Sequence, residues 1–192
     1  MFEKIKEFFS EATFLSPTDL LQLASVIKIR SLEKGEHLVK VGEFNYNAVR
    51  VMKGLLAHYV IDTNGIEKTL LFVPKNNNSG SLQTTINRKP ADENIIALEN
   101  SLLLTIDIRE LEKLAATSPG ILKLLNQSYK QIINEAALRI KFLIIYNAEE
   151  RYLHFCTTYP NLESRLKQKD IAAYLGVTES SLSRIRARIL KK

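Results

Sequence analysis

Tryptophan is missing from this 192-residue chain, cysteine occurs once, and long apolar runs are absent. Each scarcity excludes something. A single thiol, Cys156, can build neither a disulfide framework nor a cluster held by several thiolates. In a helical stretch such a thiol reads as a small core residue. The longest apolar runs, residues 102–104 and 142–146, fall far short of the ~18 residues that span a bilayer. Glu3, Glu7 and Glu11 interrupt the lysines of the N-terminus, so it does not read as a signal peptide. A cytoplasmic protein with no membrane partner is expected. No paired-carboxylate, Ser/His or metal constellation is visible, so no catalytic residue and no metal site is expected, and an enzyme is the weakest reading. Asp62 and Asp107 read as turn and cap residues.

What is present is concentrated near the C-terminus. Residues 168–187, QKDIAAYLGVTESSLSRIRA, fit a helix-turn-helix. Ile171, Leu175, Leu182 and Ile185 recur at helical spacing. Ala172 is small where two backbones must approach. Gly176 falls where the first helix must stop, a place for a left-handed residue. Val177 plugs the turn, and Thr178 is placed to cap a second helix running to about Leu190. From Asn161 onward eight basic residues face three acidic ones, which is +5 of the chain's net +6. A merely solvated face mixes signs, so contact with double-stranded DNA is expected. The candidate contacts are Lys167, Gln168, Lys169, Thr178, Glu179, Ser180, Ser181, Ser183, Arg184, Arg186 and Arg188.

Upstream the periodicity changes twice. Residues 1–27 read as packing helices, with Phe2, Ile5, Phe8 and Phe9 on one face and Ser16-Pro17 as an N-cap with a first-turn proline. Short strand-like segments follow at residues 26–29, 37–41, 48–52, 55–61, 68–73, 95–98 and 102–106. Five of the seven glycines punctuate them, and Asn64-Gly65 is a hairpin signal. This pattern argues for an antiparallel roll or jelly roll, giving an α+β protein. After Asp107, a cap residue, a short helix runs to Ala116, and Ser118-Pro119 opens a long one. Leu122, Leu125, Tyr129, Ile132, Ala136, Ile140 and Leu143 step by three or four, close to a heptad seam. Further apolar residues widen that face, so the helix is expected to touch both its own roll and a second subunit, making a homodimer. The expected domains are a sensor roll at residues 1–117, a dimerisation helix at 118–147 and a DNA-binding domain at 148–192.

That order resembles the Crp/Fnr family, dimeric bacterial transcription regulators with a cyclic-nucleotide-binding-type sensor. The runs LEKGEHLVKVGE (residues 32–43), VMKGLLAHYVIDTNGIEKTLLFVP (51–74) and IIALENSLLLTI (95–106), followed by the helix-turn-helix, carry the resemblance over essentially the whole chain. ERY at residues 150–152 and LSRIR at 182–186 resemble a short subgroup common in the Bacteroidetes. The resemblance implies an effector bound in the roll, two DNA half-sites about 34 Å or its multiples apart, and RNA polymerase as a partner.

The chain departs from the cyclic-AMP-binding members where the phosphate is held. Those members offer Gly-Glu and then an Arg with a hydroxyl partner, because backbone N–H groups and an Arg neutralise the phosphate. Here Gly80 is followed by Ser81 and Leu82, and Ala91 and Asp92 stand at the Arg and hydroxyl positions, with Arg88 and Lys89 near enough to substitute in part. The base-reading hydroxyls of the long helix correspond to Ala136 and Ala137. Cyclic AMP is therefore not expected to bind in the usual way, no cofactor is expected, and another effector stays unidentified. An iron–sulfur cluster fails on cysteine count, and the scattered His37, His58 and His154 do not suggest haem ligation. The recognition helix opens with Glu179-Ser180, where well-studied members have Arg and Glu. Arg184 alone matches a later Arg, making it the candidate for guanine and Glu179 a candidate for cytosine. A β-wing is expected either before the motif or not at all. A competing reading is a cyclic-nucleotide-binding-like sensor or interaction module whose helical hairpin packs on a protein partner.

Overall fold

The computed structural model describes residues 12–190, so the helical face expected on Phe2, Ile5, Phe8 and Phe9 lies outside it. Helix α1 (Pro17–Val26) starts where the sequence allows a helix to start. Ser16 accepts from the Asp19 N–H, Asp19 answers by accepting from the Ser16 N–H, and Pro17 occupies the first turn. Its end corrects one expectation. Of residues 26–29 only Lys28 and Ile29 are in a strand, because Val26 completes α1 and the extended Ile27 donates its N–H to the Leu23 carbonyl. The strand β1 begins two residues later (Lys28–Leu32).

Strands β2 (His37–Val39), β3 (Asn47–Lys53), β4 (Leu55–Ile61) and β5 (Glu67–Pro74) follow. A two-residue strand β6 (Asn78–Ser79), a single-turn helix α2 (Leu82–Thr85), β7 (Asn94–Ala97) and β8 (Ser101–Asp107) complete the roll. Strand β6 and helix α2 carry no periodic apolar signal and were not expected from the sequence. Two four-stranded sheets result, in the orders β1-β8-β3-β6 and β2-β7-β4-β5. Strand β8 pairs antiparallel with both β1 and β3, and β2 with β7. The inner faces meet in a core of Leu32, Val49, Val51 and Leu103 from one sheet and Leu38, Val39, Leu56, Val73, Ile95 and Ala97 from the other, none more than 3% exposed. Close packing of this kind is what the period-two apolar pattern demands.

At the β3–β4 turn the backbone leaves no room for a side chain. Gly54 sits at φ +98°, and a Cβ there would stand 2.2 Å from Ser101 Oγ, which accepts from the Leu55 N–H. At the next hairpin Asp62 accepts from the N–H groups of Asn64 and Ile66, so the Asn-Gly turn forms as the sequence suggests.

Helix α3 (Ile108–Thr117) is capped by Asp107, and α4 (Pro119–Ile145) runs for 27 residues. Helices α5 (Ala148–Thr158), α6 (Gln168–Leu175) and α7 (Glu179–Ile189) follow. Among the described residues β8 is the last strand, and residues 159–167 are a run of turns, so no β-wing precedes α6. No helix among the described residues is long and apolar enough to cross a membrane.

The chain condenses into two units, residues 12–56 with 73–132, and residues 57–72 with 133–190. In the first, Leu15, Leu23, Ile27, Leu104, Ile108, Leu111, Ala115, Ile121 and Leu125 form a second core beneath the roll. In the second, aromatic rings gather around Tyr174. Phe72, Phe142 and Phe155 lie with centroids 5.1, 5.6 and 5.7 Å from it. The Arg139 guanidinium lies 4.0 Å over the same ring and donates to the Tyr174 carbonyl at 2.6 Å.

Candidate nucleic-acid interface and effector region

The helix-turn-helix is assembled from local rules. Gly176 adopts φ +68° and donates its N–H to the carbonyls of Ala172 and Ala173, ending α6. Nothing would crowd a Cβ there, so it is the backbone conformation that calls for glycine. Thr178 Oγ1 accepts from the Ser181 N–H and caps α7. Ile171, Ala172, Leu175, Leu182 and Ile185 are buried, and Gln168 Nε2 donates to the Glu179 carbonyl at 2.9 Å, tying the start of one helix to the start of the other.

This packing leaves Thr178, Glu179, Ser180, Ser183 and Arg184 exposed along one edge of α7, with Lys167 and Lys169 exposed at the start of α6; Gln168 and Ser181 are half-buried. The three arginines of α7 have different fates. Arg186 is turned inward, its Nε 3.1 Å from Glu163 and its guanidinium over the Tyr152 ring. Tyr152 donates its hydroxyl to the same carboxylate, and Cys156 Sγ lies 3.7 Å from the other oxygen. Burial, and then the bond to Glu163, push the Tyr152 phenol well above its ordinary value. Burial likewise raises the Cys156 thiol. Arg188 pairs with Glu149 at 3.2 Å. Among the described residues Arg184 hydrogen-bonds within its own helix, donating to Ser181 Oγ at 3.3 Å. Glu163 and Glu149 were not singled out by the sequence, and Tyr152 only as part of the ERY run. Nothing in the spacing of a connector acid and a helix arginine 23 positions later announces their pairing.

The ERY run also acquires a structural account. Glu150 closes a capping box with Asn147. Arg151 donates to the Tyr146 carbonyl at 3.1 Å near the end of α4, and Tyr152 joins the Glu163 cluster.

In the effector region the polar groups satisfy one another. Gly80, at φ +150°, would place a Cβ 3.0 Å from the Asn47 carbonyl. Ser81 is fully buried and caps α2, accepting from the Thr84 N–H, while Leu82 is exposed. Arg88 donates to the Thr85 carbonyl and pairs with Glu112. Lys89 is exposed, and its backbone N–H reaches the Gln83 carbonyl. Ala91 is buried in the roll core, and Asp92 accepts from Gln83 Nε2 at 2.9 Å. The substitute cation expected at Arg88 is thus already held by an acid of its own fold.

Along α4 the apolar seam divides. Leu125 belongs to the core of the roll unit, with Tyr129 packed against it. Ile132 is half-buried and Leu122, Ala136, Ile140 and Leu143 are exposed. A neighbouring line, Ile133, Ala137, Ile140 and Ile144, is also exposed, with Ile133 at 68% and Ile144 at 76%. The exposed apolar face thus keeps Leu122, Ala136, Ile140 and Leu143 of the expected seam and widens in the second half of the helix to Ile133, Ala137 and Ile144.

Comparison with known proteins agrees with this architecture. No family model matches the chain. The chain is 27% identical to the fumarate and nitrate reduction regulatory protein of Vibrio cholerae over 92% of its own length and 75% of that protein's. Among solved structures, FixK2 of Bradyrhizobium japonicum superposes with a TM-score of 0.75 at 18% identity, covering 86% of this chain and 85% of that one. A transcriptional regulator of the Crp/Fnr family from Thermus thermophilus gives a TM-score of 0.69 at 18% identity, covering 85% and 86%. In its order of β-roll, long helix and C-terminal helix-turn-helix the chain is thus similar to transcription regulators of the Crp/Fnr family.

Proposed function

We propose that this chain is a homodimeric, sequence-specific DNA-binding transcription regulator whose roll does not bind cyclic AMP in the usual way. The observation that carries the DNA reading is the exposed edge of α7, where Glu179, Ser180, Ser183 and Arg184 face outward from a helix capped by Thr178. Arg184, with no acidic partner among the described residues, is the residue for a guanine edge, and Glu179 can accept from cytosine. Lys167, Gln168 and Lys169 are suited to backbone phosphates. The exposed isoleucines of α4 support dimerisation, since a run of large apolar side chains facing water marks an association surface. Two copies would read two half-sites. The internally paired Arg88 and the acid at Asp92 support the view that a cyclic phosphate has no cation waiting for it.

Selection of bound duplexes from a random pool, at physiological salt, tests this reading. Recovery of a two-fold symmetric sequence is expected. Failure to enrich any sequence would sink it in favour of a module that works through protein partners. One observation leans that way: Glu163 and Glu149 already neutralise Arg186 and Arg188.

A further inference from the structure

We infer that Glu67, on the β4–β5 hairpin, occupies Lys169 in place of a DNA phosphate and so acts as a built-in competitor of DNA. The inference rests on the DNA reading above and adds a regulatory element to it. Residues 57–72 belong to the same compact unit as the helix-turn-helix. Glu67 opens β5, and its Oε2 lies 3.4 Å from Nζ of Lys169 in the first turn of α6. Both side chains are about half exposed, at 55% and 54%, so the pair can exchange partners. A carboxylate and a phosphate offer an ammonium the same kind of acceptor, and a lysine pressed against one is not free for the other.

The acid is not on a loose tail. Five residues along the same strand, Phe72 is buried against Tyr174 of the same helix α6, and against Phe155 and Tyr159. At the turn, the Asp62 carboxylate holds the N–H groups of Asn64 and Ile66 and lies 3.5 Å from Lys68. The hairpin is thus braced at its tip and anchored by an aromatic ring, and it presents Glu67 to α6. Asp170 registers the same charge. Its carboxyl is pushed above the ordinary value by burial, with Glu67 acting in the same direction and Lys167 and Lys169 opposing. A ligand or contact that draws the hairpin off α6 frees Lys169 and raises DNA affinity.

The test uses the full chain, a labelled duplex carrying the selected site, and fluorescence anisotropy across a salt titration, with Glu67→Gln, Lys169→Gln and the double variant. Exposed pairs of this kind shift an equilibrium by about two- to fivefold. Glu67→Gln is therefore expected to tighten binding by about that factor at low salt. It should also steepen the slope of log K against log salt by up to about 0.9, one further phosphate contact. In the Lys169→Gln background the same change should have little effect. Tightening that persists undiminished in that background, or no tightening at all, overturns the inference while leaving the DNA reading intact. Absence of duplex binding by the unsubstituted chain overturns both.

Discussion

Ser118 Oγ donates a 2.5 Å hydrogen bond to Asp19 Oδ1, joining the first described helix to the start of the longest one across 99 positions. The other oxygen of Asp19 already accepts from the Ser16 N–H and hydroxyl, both at 2.8 Å. Ser118 Oγ in turn accepts from the Ile121 N–H and caps α4. One carboxylate therefore secures two helix starts, where helix dipoles favour negative charge. Gly120 makes the approach possible, since a Cβ there would stand 2.6 Å from Asp19 Oδ2.

These bonds, that from Ser118 first and those from Ser16 next, hold the Asp19 carboxyl below its ordinary value of 3.8. A carboxyl depressed on folding stabilises the native state above its unfolded pKa, and that contribution is lost as pH falls through the folded pKa. Asp19→Asn is expected to lower stability by about 1–2 kcal/mol at neutral pH. The gap between variant and parent should narrow below pH 3.8, as urea denaturation at the two pH values will show.

Gly54→Ala should be far more damaging than Gly176→Ala. At position 54 the new methyl meets Ser101 at 2.2 Å and backbone at 2.7 Å, and the turn itself must move. At position 176 only the left-handed conformation is penalised, by about 1–2 kcal/mol. Thermal melts of the two variants should separate clearly, with Gly54→Ala the lower; equal melting temperatures would contradict the crowding.

Arg184 and Arg186 should give opposite phenotypes. Arg184→Ala removes an exposed side chain, so stability is expected to hold within about 0.5 kcal/mol. Duplex affinity should fall by about 1–3 kcal/mol, with discrimination lost at one base position. Arg186→Ala strands the half-buried Glu163 and Tyr152 and should cost about 1–3 kcal/mol of stability. Melting curves set beside anisotropy titrations distinguish them.

On α4, Ile140→Glu should convert dimer to monomer in sedimentation velocity with its circular dichroism unchanged, because Ile140 is 58% exposed within one chain. Leu125→Ala, a core change, should instead cost about 2–5 kcal/mol of stability. Dimerisation unaffected by Ile140→Glu would move the interface elsewhere.

Addition of cyclic AMP should leave the melting temperature where it was, given an Arg88 committed to Glu112 and an acid at Asp92. A concentration-dependent rise, as mass action requires of a native-state ligand, would falsify the assignment.

Much of this molecule was legible along the chain because its rules are local. Strand β4 begins and ends where turn glycines and the apolar run place it, and helix α4 begins at the Ser-Pro pair. The Gly176 stop and the Thr178 cap needed only neighbours a few residues away. The roll was legible through many short strands, and the resemblance to Crp/Fnr regulators through the order of its parts.

What only the tertiary structure decided is which groups are left over once the fold has used its own. Three arginines in α7 look alike in sequence, yet Glu163 and Glu149 claim two of them and leave Arg184. Arg88 stands near the stretch where cyclic-AMP-binding relatives are expected to hold a phosphate but pairs with Glu112. One expected seam on α4 divides between Leu125 inside a core and Ile140 outside it. The physical reason is common to all three. Helix and strand identity follows from spacing over a few residues, whereas the partner of a charge or an apolar face is set by contacts between elements that spacing along the chain does not encode.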